Sequence, residues 1–128
     1  MKSQMSEAEI IEHAQNVLIN TLCFTALPSG EHTAMSKPLF NVLTEAYMGM
    51  EVCLGDLPLL IEKGRVSCDA VPHIIRSFSA AMRLPDFPAD GTPNEYFSHE
   101  AWETLRRHSR LALRAMGEEL RLPDRKYI

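Results

Sequence analysis

Cysteine is scarce in this chain and unpaired: Cys23, Cys53 and Cys68 are far apart and odd in number. That excludes a disulfide framework, and no two of them stand at the short spacing a zinc site needs. All three fall within apolar helical patterns and are expected as buried, reduced thiols. No apolar run approaches the ~18 residues of a membrane span. Met1 to Glu12 reads polar and acidic rather than basic-then-apolar, so the expectation is a cytoplasmic protein without a membrane partner. Strand-like alternation, internal repeats and low-complexity tracts are missing, which leaves an all-α reading.

The signatures of chemistry are missing too. There is no phosphate-cradling glycine loop and no Gly-x-Ser-x-Gly elbow; Ser29 between Pro28 and Gly30 is turn chemistry. The histidines, His13, His32, His73, His99 and His108, form neither a Glu-x-x-His pair nor a pair four residues apart. Asp86 to Gly91 begins like a calcium loop, but Pro88 and Phe97 stand where oxygen ligands belong. The expectation is therefore no catalytic group, no metal and no cofactor.

What is present suits one domain over residues 1–128. A chain of 128 residues, 45% apolar and 23% charged, is ordinary for a globular protein and buries roughly two thirds of its unfolded surface. The charge is uneven. Residues 1–64 hold three lysines against eight acids, a net of −5, and residues 65–128 hold ten basic residues against nine acids, a net of +1. Opposite halves of this kind attract one another within a fold or between copies.

Helix signals divide the chain into a bundle of four main helices, about 6–26, 36–54, 67–84 and 98–122, plus a short helix near 57–63. Ser6 with Glu9 is a capping box. Ser36 with Pro38 opens the second helix, Gly55-Asp56 ends it, and Gly64 stops the short one. Val42, Ala46, Gly49 and Cys53 form a small-residue seam, read as a close helix crossing with a ligand pocket as the alternative. Pro72 is acceptable in the first turn of the third helix. The long connection 85–97, with Phe87, Tyr96 and Phe97, either pins itself to the bundle or binds a partner.

The fourth helix is the richest. Ser98 is placed to cap it, and Pro123 to stop it. Trp102, Leu105, Ala112, Leu113, Met116 and Leu120 fall on one core-facing side. Arg106, Arg107, Arg110 and Arg114 share a flank, with Leu111 on a second, weaker ridge, and no acid lies between Thr104 and Met116. This face points to a non-enzymatic interaction protein, an adaptor, regulator or inhibitor, that binds another protein or itself through Arg106, Arg107, Arg110, Leu111 and Arg114. A nucleic acid bound through the same arginines is the alternative, though the chain lacks the strongly basic balance of such proteins.

One motif offers catalysis. His73-Ile74-Ile75-Arg76-Ser77 resembles the histidine phosphotransfer family, whose helical bundles present His-x-x-Lys-Gly on an exposed face. Here arginine replaces the lysine and serine the glycine, and Pro72 sets His73 at the start of its helix. The resemblance implies a phosphoryl group carried on His73.

Overall fold

Ser6 begins the first helix by exchanging two hydrogen bonds with Glu9: the Glu9 amide donates to Ser6 Oγ at 3.2 Å, and the Ser6 amide to Glu9 Oε1 at 3.1 Å. These bonds hold the Glu9 carboxyl below its usual range, the backbone bond contributing most. The computed structural model describes residues 6–28, 30–32, 39–84 and 96–120, with the backbone alone over 39–47. Within them four helices form an all-α bundle: α1 Glu7–Ala26, α2 Leu39–Glu62, α3 Val71–Ala81 and α4 Glu100–Ala115. The expected start of the second helix at Ser36, and Phe87 in the long connection, lie outside the described residues.

The inner pair is α1 and α4. Helix α4 packs along α3 on one side and α1 on another, while α1 also carries α2; α2 and α3 scarcely meet. The burial of α1 follows from this position. Every residue from Leu18 to Leu27 is buried, which suits a helix apolar nearly all round.

Helix α2 corrects the expected break at Gly55-Asp56 and the separate helix near 57–63. It runs through both, with Pro58 inside it. Proline there removes a hydrogen bond to the Leu54 carbonyl and costs about 3 kcal/mol. Against that, Met50, Cys53, Leu57 and Leu60 are buried in one line along the helix, and large apolar side chains contribute about 1.5–3 kcal/mol each. Burial wins, and Pro58 lies on the exposed side. Gly64 does end the helix as expected. It takes φ +70°, its amide donates to Ile61 and that of Arg65 to Leu60, the paired bonds of a Schellman cap.

Helix α4 is shorter than 98–122 at both ends. Its N-cap is His99, whose Nδ1 accepts from the Ala101 amide at 3.0 Å. Its stop is Gly117, at φ +74°, with Glu118 donating to Leu113 and Gly117 to Arg114. Leu120, placed in the core stripe by periodicity, falls beyond the helix and is 44% exposed. Trp102, Leu105, Ala112 and Leu113 are buried as that stripe requires. Helix α3 keeps Pro72 in its first turn but starts at Val71, after a turn in which the Ala70 amide reaches the Ser67 carbonyl.

Small and polar residues set the helix contacts. A Cβ on Gly49 would stand 3.1 Å from Thr21 Oγ1, and Cys53 Sγ donates to the same oxygen at 3.6 Å. The described half of the small-residue seam is thus a close crossing of α2 on α1. Across the inner pair, Thr25 Oγ lies 2.7 Å from Ser109 Oγ, which lies 2.9 Å from Ser77 Oγ. Thr25 also donates to the Thr21 and Leu22 carbonyls. With that single proton committed, Ser109 donates to Thr25 and Ser77 to Ser109, a buried relay joining α3, α4 and α1.

Candidate functional site

The arginines of α4 have two different fates, decided by the C-terminus of α1. The last carbonyls of a helix lack internal partners and carry the negative end of its dipole. The last turn of α1 holds no basic residue of its own. Helix α4 supplies the donors: Arg106 Nε donates to the Leu27 carbonyl at 2.7 Å, and Arg110 Nε to the Ala26 carbonyl at 3.0 Å. These bonds go to backbone carbonyls and not to the acids of the first half. The ion pairs Lys63–Glu7 and Arg106–Glu103 each stay within one half.

Arg106 therefore leaves the expected partner-binding set. It is 1% exposed, and every nitrogen of its fork has work inside the fold: Nε on Leu27, Nη1 on Glu103, Nη2 on His32 Nδ1 at 2.9 Å. Its guanidinium also lies 5.7 Å from the Trp102 ring centre. His32, expected in a polar loop, is fully buried beside Phe24, Phe97 and Trp102, with ring centres 5.1–5.5 Å away. Its Nε2 donates to the Phe24 carbonyl at 2.6 Å, so Nδ1 is the acceptor for Arg106 and the ring is neutral. Burial, chiefly, pushes its pKa down to about 4.

The other four residues share one surface. Arg107, Arg110, Leu111 and Arg114 line an open groove of ≈ 510 Å³ with Thr104, and with Glu100 and Glu103 at its upper end. Arg107, Arg110 and Arg114 are exposed and Leu111 is half-buried. Arg110 is tethered through Nε; Arg107 and Arg114 have no hydrogen-bond or ion-pair partner among the described residues. The face is thus a row of three guanidiniums around one leucine.

His73 does not stand clear on a helix face. It is the third residue of α3, half-buried, with its ring 6.5 Å from that of His108 and nearly parallel to it. Nδ1 of each ring is buried without a hydrogen-bond partner among the described residues. The thiols also divide: Cys23 and Cys53 are buried, but Cys68 is exposed in the turn before α3, which corrects the expectation of three buried thiols. Burial pushes the Cys53 thiol up to about 11, far from a reactive thiolate. Among the described residues no three His, Cys, Asp or Glu side chains gather to hold a metal ion, and no helix is long and apolar enough to cross a membrane. In comparisons with known proteins, no family model matches this chain, and no curated protein or solved structure matches it either.

Proposed function

We propose that this chain is a non-enzymatic interaction module that holds an acidic segment of another protein along the outer face of α4. The observation that carries the reading is the row Arg107, Arg110 and Arg114 around the half-buried Leu111, with two of the three cations unpartnered among the described residues. Spacings of three and four residues set these side chains along one side of the helix. Each guanidinium offers a planar fork that matches a carboxylate. Leu111 supplies the apolar anchor that such a contact needs at its centre. Glu100 and Glu103 close one end of the groove and repel an acidic segment there, which fixes its position towards Arg110 and Arg114.

The test uses a short synthetic peptide of glutamates and aspartates around a single leucine, followed by fluorescence anisotropy at several salt concentrations. Binding that weakens with salt and is lost in an Arg107→Glu, Arg114→Glu variant supports the reading. Absence of binding to the native chain at low salt overturns it. Solution mass measured in parallel distinguishes a second copy as the occupant. Tighter binding to duplex DNA than to the peptide, with a steep salt slope cut by Arg107→Ala and Arg114→Ala, replaces it with the nucleic-acid alternative.

A further inference from the structure

A second groove, of ≈ 490 Å³, runs between α3 and α4 on a different side of α4. Its volume falls within the range of about 300–1,000 Å³ typical of small-molecule sites. From α3 and the turn after it come Arg76, Ser79 and Arg83; from α4 and its N-cap come His99, Thr104 and His108. The helices run antiparallel here, since His73 stacks on His108 while Ala80, Arg83, His99 and Ala101 share the other end. That register sets one cation-bearing pair, Arg76 with His108, at one end and another, Arg83 with His99, at the other. Seven residues, helical as far as Ala81 and then a turn, separate Arg76 from Arg83, about 10 Å along the axis.

We infer that this groove binds a small soluble molecule bearing two phosphate groups held apart by a carbon chain or ring, one phosphate at each end of the groove. Three observations support a charged rather than an apolar occupant. Arg76 and Arg83 are exposed and have no ion-pair partner among the described residues, so their forks are open to an oxyanion. The positive end of the α4 dipole, at His99 to Ala101, opens into the same groove. Cations also crowd His108: burial first, then Arg107, Arg76 and His73, hold it below the ordinary histidine range. Phosphate suits the site better than a single carboxylate: its several oxygens accept from a guanidinium and from a neighbouring Ser79 or Thr104 hydroxyl together. Glu100 is the exception in the lining. Its carboxylate disfavours anions at the α4 end and weakens binding there.

The site shares Thr104 and Glu100 with the arginine row proposed above but none of its arginines, so loss of one leaves the other testable. A hexose 1,6-bisphosphate, whose phosphates lie far enough apart to reach both ends, is the probe, with inorganic phosphate and citrate as comparisons, followed by amide chemical shifts and calorimetry. The bisphosphate is expected to shift residues 76–83 and 99–108 and to bind more tightly than either comparison. Arg76→Gln and Arg83→Gln are each expected to weaken it about tenfold, and Glu100→Gln to tighten it. Because Arg76 and Arg83 are exposed, these variants keep the fold, which circular dichroism checks. Citrate binding as tightly as the bisphosphate overturns the phosphate assignment. So does any result in which the bisphosphate shifts no residue of the groove, or in which only vesicles of phosphatidic acid, and not the soluble anion, are bound.

Discussion

Arg106 Nη2 donates to His32 Nδ1 across 2.9 Å, joining a helix in the last quarter of the chain to a turn in the first. The same guanidinium holds the Leu27 carbonyl, and His32 holds that of Phe24. One cation and one neutral ring thus satisfy the last carbonyls of α1 beside Trp102 and Phe97.

Removing the guanidinium should be costly because it strands buried acceptors rather than merely deleting a contact. Arg106→Met is expected to lose about 3 kcal/mol, the range for breaking a buried charged network. Arg107→Met, one residue away and exposed, is expected within about 0.5 kcal/mol of the native chain. Urea unfolding compares them. Equal midpoints for the two variants would show that the latch contributes nothing.

Acid should loosen the same latch. His32 has its pKa lowered from 6.5 to about 4, so the unfolded chain takes up a proton before the folded one does. The resulting stability is complete above about pH 6.5, falls as the pH drops towards 4, and levels off below that. Its full extent is about 3 kcal/mol. Unfolding free energies of the native chain and of His32→Gln, followed from pH 7.5 to 4, should converge as the pH falls. Parallel curves would mean that the ring titrates alike in both states.

The crossing at Gly49 gives a test of sign. Alanine in mid-helix gains about 1 kcal/mol over glycine, but here its Cβ meets Thr21 Oγ1 at 3.1 Å and Cγ2 at 3.4 Å. Gly49→Ala is expected to bring no gain in the native background and to stabilise by up to about 1 kcal/mol once Thr21→Ala has cleared the space. A double-mutant cycle on thermal midpoints measures the difference, and additivity of the two changes refutes the contact.

Helix α2 predicts an improvement. Pro58→Ala restores the missing bond to Leu54 on an exposed side and is expected to raise stability by about 1 kcal/mol or more. Gly117→Ala should do the reverse, losing about 1 kcal/mol from its φ of +74° alone, since nothing lies within 4 Å of the added carbon. Calorimetric melting of the two variants checks both directions.

Local signals were legible in the sequence because their causes are local. The box at Ser6 and Glu9, the stop at Gly64, Pro72 in a first turn and the core side of α4 all depend on residues a few positions apart. Two readings miss because a local breaker is set above burial and a glycine is passed over: Gly55-Asp56 reads as a boundary, yet the line from Met50 to Leu60 carries the helix through it, and Pro123 reads as the stop, yet Gly117 serves. Arg106 was misplaced for a longer-range reason. Its burial is set by the carbonyls at the end of α1, some eighty residues earlier. A hint was nevertheless present, since Arg106 lies four residues after Trp102 and seven before Leu113, in register with the core. His32 gave no such hint; its cage is assembled from three separate segments.

The hydroxyl relay from Ser77 through Ser109 to Thr25 fixes more than three side chains. Greasy surfaces tolerate sliding, because leucine against leucine one turn along is still leucine against leucine. Oxygens that must meet at 2.7 and 2.9 Å allow one axial offset, and a shift of α4 by a single turn leaves each of them facing hydrocarbon. The groove between α3 and α4 inherits that alignment, so the meeting of Arg76 with His108 and of Arg83 with His99 is measured from a trio of buried oxygens that the groove does not contain.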